Sequence, residues 1–207
     1  MPLLAAVIDM AVQYGQGFFT DAVGGLGNGL FAMIVQIVYL FAFGIATIQA
    51  NNIARGYKAT FDDAWEEGRR KAGGILLAAV GFQFMTQVAA YIGSILGLGF
   101  IAIVLELAAY FFLIYTIPAA SIGGLPGGLA LSGSIRAVRS NVVASVILAV
   151  AFVALFVYLP NFVVINLGAQ LGVLGSSLAL AGMRALVLAY LAFPFASTYD
   201  DIAFKLY

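Results

Sequence analysis

The chain alternates long apolar stretches with short polar ones. A transmembrane helix needs about 20 consecutive apolar residues, and stretches of about this length lie at 27–48, 72–95, 99–117, 142–160 and 173–196. The pattern therefore predicts an all-α integral membrane protein with about five transmembrane helices. The three residues 96–98 leave room only for a tight turn, which predicts a hairpin of the second and third spans. Pro118 is predicted to end the third span, and Pro160 with Asn161 to break or kink the fourth.

The basic residues predict the orientation of these spans. All but one of the Lys and Arg residues lie outside the spans, at Arg55, Lys58, Arg69, Arg70, Lys71, Arg136, Arg139 and Lys205. Five crossings put these positions on one side of the membrane, while residues 1–26, 96–98 and 161–172 contain no Lys or Arg. Because basic loops stay on the cytoplasmic side, we expect a bacterial cytoplasmic (inner) membrane protein with its N-terminus outside and its C-terminus in the cytoplasm.

The length fits one transmembrane helical domain, 26–207, preceded by an amphipathic segment, 1–25. A polar stripe that begins at Asp9 predicts a helix lying on the outer surface. The alternative is a sixth span, in which Asp9 would cost about 2.5–3.5 kcal/mol within the bilayer.

Further amphipathic helices are predicted at the cytoplasmic surface, near 60–71 and 129–141. Thr60 and Asp63 predict a capping box at the start of the first. Trp65 is its predicted anchor at the lipid headgroups. Offset by 70 positions, Ala64 corresponds to Ser134, which suggests that each surface helix with its following span is one unit of a repeat.

The composition excludes several classes of function. Residues are 64% hydrophobic and 9% charged, against about a quarter charged in soluble proteins. Nine basic and nine acidic residues cancel, so no net charge attracts nucleic acid. The chain has no Cys and no His, so it cannot ligate a cluster, haem or metal through these residues. The sequence predicts no catalytic, cofactor-binding or metal-binding residue and therefore no enzyme; bound lipids are the cofactors it allows.

Three segments carry a family resemblance: 64–70 (Ala-Trp-Glu-Glu-Gly-Arg-Arg), 115–118 (Tyr-Thr-Ile-Pro) followed by 131–141, and 199–201 (Tyr-Asp-Asp). In this order they resemble an uncharacterised bacterial family of polytopic membrane proteins, which is related to the membrane domain of some glycerophosphodiester phosphodiesterases. The resemblance implies a membrane-embedded helical domain without a known catalytic centre. The chain departs from the family pattern because it lacks a clear first span.

Glu106 and Arg184 are the charged residues well inside predicted spans. Both fall near mid-depth, on helices predicted to run parallel, so they are predicted to form an intramembrane ion pair. The alternatives are a proton or solute relay and a contact with a neighbouring subunit or lipid. An intramembrane polar layer is predicted near the same level, at Gln36, Gln83 and Gln87, with Thr86 beside them.

Basic residues near one interface are predicted to contact anionic lipid headgroups: Arg55, Lys58, Arg69, Arg70 and Lys71. The alternative is the ordinary bias of basic residues toward the cytoplasm. Acidic residues of the same segment could suggest a metal site. We instead expect them to pair along the helix, Glu66 with Arg70 and Glu67 with Lys71.

Three classes of function compete on these grounds. The first is a non-catalytic structural or accessory subunit of a larger membrane assembly, such as an energy-converting complex, whose partners are other membrane subunits and lipids. The alternative is a transporter or channel for a small solute or lipid, which requires water to reach Glu106. An intramembrane enzyme is disfavoured, since no acid, base and nucleophile set is visible.

Overall fold

The computed structural model describes residues 25–58, 60–95 and 99–206, and every regular element in these ranges is a helix. In chain order the helices are α1 (Gly25–Ala54), α2 (Phe61–Arg70), α3 (Ala72–Ile95), α4 (Gly99–Leu113), α5 (Thr116–Ser121), α6 (Gly128–Ser140), α7 (Val142–Phe152), a π-helical segment (Val153–Tyr158) and α8 (Leu159–Leu206).

Candidate membrane spans lie at Met33–Ala54, Ala72–Gly93, Phe100–Ser121, Val142–Val163 and Gly175–Ala203. The predicted all-α fold with five spans is confirmed. The predicted outer-surface helix falls in residues 1–25, of which 1–24 lie outside the described residues.

Side-chain contacts give the relative directions of the spans. In α3 and α4, the rings of Phe82 and Tyr110 lie 5.8 Å apart, as expected for the predicted hairpin. In α1 and α8, Tyr39 donates a hydrogen bond to the carbonyl of Ala181 at 3.4 Å. Further along both helices, Arg55 forms an ion pair with Asp200. Because both numbers rise together, the first and last spans run parallel.

The fourth and fifth spans reverse direction at Gly172. Its φ of 67° and ψ of 178° interrupt α8, and a positive φ is a conformation that favours glycine. Rings on either side of this point meet, with Phe152 and Phe195 6.2 Å apart. Arg184 and Phe156, also on opposite sides, are 6.0 Å apart from Cζ to ring centroid. The two spans are therefore an antiparallel pair.

Of the two outcomes predicted at Pro160 and Asn161, a break or a kink of the fourth span, the break does not occur. The helix continues through both residues, and only the turn ahead of Pro160 is widened, over Val153–Tyr158. A proline lacks the N–H donor and crowds the carbonyl of the preceding turn, and a π-helical turn relieves this crowding. Asn161 Nδ2 donates to the carbonyl of Val157 at 2.8 Å. A side-chain donor therefore lies in the turn where Pro160 has no backbone N–H.

The third span breaks earlier than predicted. α4 ends at Leu113 and α5 begins at Thr116, so Pro118 lies in the first turn of α5, where its missing donor costs nothing. The break at Tyr115 frees backbone groups, and Ser134 of α6 binds two of them. Its Oγ accepts from the N–H of Tyr115 at 3.0 Å and donates to the carbonyl of Phe112 at 2.9 Å.

Helices are present at both positions predicted for surface helices, as α2 and α6, each directly ahead of a span. Thr60 and Asp63 form the predicted capping box at the start of α2. The corresponding residues Ala64 and Ser134 are both fully buried, so α2 and α6 face the bundle with equivalent positions. Gly68 lets α2 approach α1 closely, because a Cβ there would lie 2.7 Å from Cγ1 of Ile45.

Aromatic rings join the spans at the centre of the bundle. Phe195 of α8 is fully buried and packs edge-on against Phe43, with ring centroids 5.3 Å apart. It also lies near Tyr115 at 6.3 Å and Phe152 at 6.2 Å. One side chain therefore holds the first, third and fourth spans against the fifth, through contacts of a kind that stabilise buried cores.

We expect Ser134→Ala to lower the free energy of unfolding by about 1–3 kcal/mol, because it leaves an N–H and a carbonyl unsatisfied in an apolar interior. The measurement is denaturant unfolding of the purified protein in detergent micelles. The matched control is Ser132→Ala on the same helix, whose exposed hydroxyl bonds only its own turn at Leu129, and which should change stability by less than about 0.5 kcal/mol. Equal effects of the two changes would contradict the bridging role of Ser134.

Candidate functional site

A chain of polar contacts runs inward from the end of the bundle that carries the basic residues. Lys71, at the junction of α2 and α3, donates to Glu67 Oε1 at 2.7 Å and to the carbonyl of Ser121 at 2.8 Å. The hydroxyl oxygens of Ser121 and Thr47 are 2.8 Å apart. Asn52 donates to the other oxygen of Glu67 at 3.5 Å. We call Thr47, Asn52, Glu67, Lys71 and Ser121 the polar node.

The polar node joins three helices at the ends where their carbonyls are free. Ser121 is the last residue of α5, and a lysine ammonium on a terminal carbonyl satisfies that group and complements the helix dipole. Thr47 and Ser121 are both fully buried. Their hydroxyls also lie 2.8 Å from carbonyls of their own helices, those of Gly44 and Ile117. The node therefore holds α1, α2 and α5 together, with the Glu67 and Lys71 side chains each 31% exposed.

A second contact at the same end connects α1 to α8. The guanidinium of Arg55, just after α1, forms an ion pair with the carboxylate of Asp200, and its Nε also donates to Asp200 Oδ2 at 3.4 Å. This two-point geometry is the arrangement in which arginine binds a carboxylate most specifically. It ties the cytoplasmic ends expected for the first and last spans to each other.

These contacts divide the residues predicted to bind anionic lipid. Arg55 pairs with Asp200. Lys71 binds Glu67 and the carbonyl of Ser121, so the charged groups of both basic residues are used in contacts within the protein. Lys58, Arg69 and Arg70 are exposed and take part in none of the ion pairs recorded for the described residues. Of the two predicted helical pairs, Glu67 with Lys71 is formed at 2.7 Å, whereas Glu66 with Arg70 is not.

The structure does not bring Glu106 and Arg184 together. Within the described ranges, the ion pairs closer than 4.0 Å are Arg55 with Asp200 and Lys71 with Glu67. Arg184 instead lies over the ring of Phe156, with Cζ 6.0 Å from the ring centroid. Both charges remain within electrostatic range of Tyr110. The direct pair predicted from depth is therefore not formed.

The predicted polar layer is also divided. Gln83 is 2% exposed and its Oε1 has no hydrogen-bond partner among the described residues. Thr86 is equally buried and bonds back to its own helix, at the carbonyls of Gln83 and Phe82. Gln87 is exposed and Gln36 half-buried. These residues do not hydrogen-bond to one another across helices in the part of the chain described.

Trp65 packs inward rather than standing free. Its ring lies edge-on to Phe41 of α1, with centroids 6.5 Å apart, and it contacts the buried core. The predicted role as a headgroup anchor is untested, but the contact with α1 shows that Trp65 also fixes the position of α2.

The acidic residues of α2 serve the helix itself. Hydrogen bonds from Thr60 lower the pKa of Asp63. Partial burial acts to raise the pKa of Glu67, but Lys71, Asn52 and Arg70 outweigh it and lower that pKa below its usual value. Carboxylates that are held by donors of their own segment are stable in the charged form. The carboxylates of Asp63 and Glu67 therefore have partners within the protein.

No family model, no curated protein and no solved structure matches this chain. The family resemblance drawn from segments 64–70, 115–141 and 199–201 therefore stays a prediction.

The sequence did not identify the hydroxyl residues whose side chains connect the helices. Thr47, Ser121 and Ser134 were not singled out as a site, because a lone hydroxyl in an apolar stretch does not show what it bonds. One signal was present: Ser121 and Ser134 flank a Gly- and Pro-rich connection that follows Pro118. Helix breaks of that kind need donors and acceptors from elsewhere.

The pKa shift of Glu67 makes a prediction about pH. Because the folded pKa is lowered, Glu67 adds stability above its ordinary pKa of 4.5, and this contribution is lost as the pH falls through the folded value. We expect Glu67→Gln to lower the free energy of unfolding by about 1 kcal/mol at pH 7, since the pair is partly exposed. The difference from wild type should vanish below the folded pKa.

Denaturant unfolding in detergent between pH 7 and pH 3 measures this difference. The matched control is Glu66→Gln, which changes the neighbouring exposed carboxyl and should behave as wild type throughout. A difference for Glu67→Gln that persists unchanged into the acid range would contradict the assignment.

Proposed function

We propose that this chain is a non-catalytic structural or accessory subunit that packs within a larger membrane assembly, such as an energy-converting complex. Its partners are other membrane subunits and lipids. It lies in the bacterial cytoplasmic membrane with the N-terminus outside and the C-terminus in the cytoplasm. The orientation is supported by the shared end of the bundle at which Arg55 meets Asp200 and Lys71 meets Ser121.

The observation that carries this proposal is the position of Glu106. Its side chain is half-buried within the third span, six residues after the span begins at Phe100. Ile103, one turn earlier, is 51% exposed, and Leu107, the next residue, is 42% exposed, so Glu106 borders the outside of α4. No cation of the described residues lies within 4.0 Å of its carboxylate.

A charge at this depth favours a partner outside the chain. An acidic residue within a spanning helix costs up to about 2.5–3.5 kcal/mol on insertion scales, the value that holds at the helix centre. A cationic or hydrogen-bonding side chain from a neighbouring subunit offsets that cost, and it reaches Glu106 from the exposed side of α4. Cofactors of the assembly are then held by other subunits, since this chain has no Cys or His ligand.

We expect Glu106→Gln to weaken the assembly without unfolding the chain. The full-length tagged protein is extracted from its own membranes in mild detergent, and its complexes are compared by native electrophoresis and native mass spectrometry. Wild type and the control Glu66→Gln should carry partner subunits in a fixed ratio, and Glu106→Gln should lose them. Identical complexes for all three, or a wild type that runs alone, would contradict the proposal.

The alternative, a carrier or channel for a small solute or lipid, is favoured by one observation. Gln83 is buried with an unpartnered oxygen, and a buried polar group of this kind is commonly satisfied by water. Two cavities, of about 410 and 340 Å³, lie between helices but are lined by other residues.

Thiol labelling distinguishes the two functions, because the natural chain has no Cys. Gln83→Cys should resist a membrane-impermeant thiol reagent if the interior is dry, as the accessory role requires. Phe84→Cys, on the exposed side of the same helix, should also resist because lipid covers it. Lys58→Cys is the reactive control. Rapid labelling at position 83 alone would favour the carrier or channel.

A further inference from the structure

α6 is the one described helix at the basic end that carries positive charge without any acidic residue. It contributes Arg136 and Arg139, and the acidic residues nearest to them in sequence are Glu106 and Asp200. Both arginines are exposed, while Ser134 and Val138 on the opposite face are buried. α2 differs, since its basic residues share the helix with four carboxylates. The charge on α6 is therefore not neutralised within its own segment.

An exposed apolar stripe begins directly after these arginines. On α7, residues on one side are exposed by 45–73%, at Val142, Val143, Val146, Ile147 and Val150. Spacings of three and four residues place them along one face of the helix. Arg139 precedes Val142 by three residues, so at most about 11 Å of chain separates the last charge from the first apolar side chain.

The stripe continues into a groove between α4 and α7. The groove has a volume of about 340 Å³, and its walls include Val146, Val150 and Ala154 on one side and Leu107 and Phe111 on the other. Tyr158 also lines the groove. Two residues of the exposed stripe thus belong to a groove with apolar walls that runs toward the membrane interior.

We infer that Arg136 and Arg139 bind the phosphate of one anionic phospholipid of the cytoplasmic leaflet, with an acyl chain lying along the α7 stripe and in the α4–α7 groove. Arginine is suited to this task because its planar donors match phosphate oxygens in pairs. A phospholipid combines the anion and the apolar chain at the spacing that α6 and α7 present. A partner helix offers apolar surface but has no inherent negative charge at the headgroup level. The site does not depend on whether partner subunits exist.

Lipid binding to the full-length, delipidated protein in mild detergent tests this inference. Native mass spectrometry gives apparent affinities for phosphatidylglycerol and for phosphatidylcholine with the same acyl chains, and inorganic phosphate is the headgroup-only probe. We expect wild type to prefer phosphatidylglycerol. Arg136→Gln with Arg139→Gln should weaken that lipid roughly 30-fold and abolish the preference. Arg136→Lys with Arg139→Lys, which keeps the charge but loses the paired donors, should bind phosphatidylglycerol with an affinity between those of wild type and the glutamine variant.

The groove is tested separately by filling it. Ala154→Phe occupies the groove at an exposed position and should weaken both phospholipids, with Val150→Phe as the second variant if the first fails to fold. Unchanged phosphatidylglycerol binding in the glutamine variant would overturn the inference, as would equal binding of both lipids to wild type. It would also be overturned if inorganic phosphate bound wild type as tightly as phosphatidylglycerol does. Unchanged lipid binding in the groove-filling variants would also overturn it. So would a wild type that carries a bound polypeptide in place of lipid, if the glutamine variant loses that polypeptide.

Discussion

The structure depends on one constraint: within the apolar part of a membrane, no water is available to bond a backbone group that a helix leaves free. Unbroken helices meet this requirement by themselves, but this chain interrupts its helices at Lys71, Tyr115 and Gly172. Each interruption that creates unpaired groups has to be satisfied by side chains. At Tyr115 the hydroxyl of Ser134 does this for two groups, and at the end of α5 the ammonium of Lys71 binds the carbonyl of Ser121.

This constraint accounts for several of the polar side chains whose contacts are known. Asn141 is another case, since its Oδ1 accepts from the N–H of Ala144 at 3.3 Å, where α6 gives way to α7. Such residues look like candidate sites in an apolar sequence, yet their donors and acceptors are used within the fold. Glu106 differs because its carboxylate has no cation nearby in the described chain and borders an exposed surface. This contrast is the support for the proposed function through association.

The spans and the capping box at Thr60 were predictable because hydropathy and capping are local properties of sequence. The contacts that fix the bundle were not, since Ser134 and Tyr115 meet only when α6 folds back on the third span. The predicted ion pair of Glu106 with Arg184 is not formed, and the reason is related. Sequence position gives the depth of a residue but not its direction around the helix axis, and Arg184 turns toward Phe156. At Pro160 the expected break was replaced by a widened turn at Val153–Tyr158.

The central claim is that these helices cross a bilayer five times, with their basic connections at one surface. Single cysteines at Lys58, Arg139 and Gln170, probed with a membrane-impermeant thiol reagent in sealed vesicles of one orientation, test it most directly. We expect positions 58 and 139 to be labelled from the same side and position 170 only from the other. Labelling of positions 58 and 139 from opposite sides would contradict it.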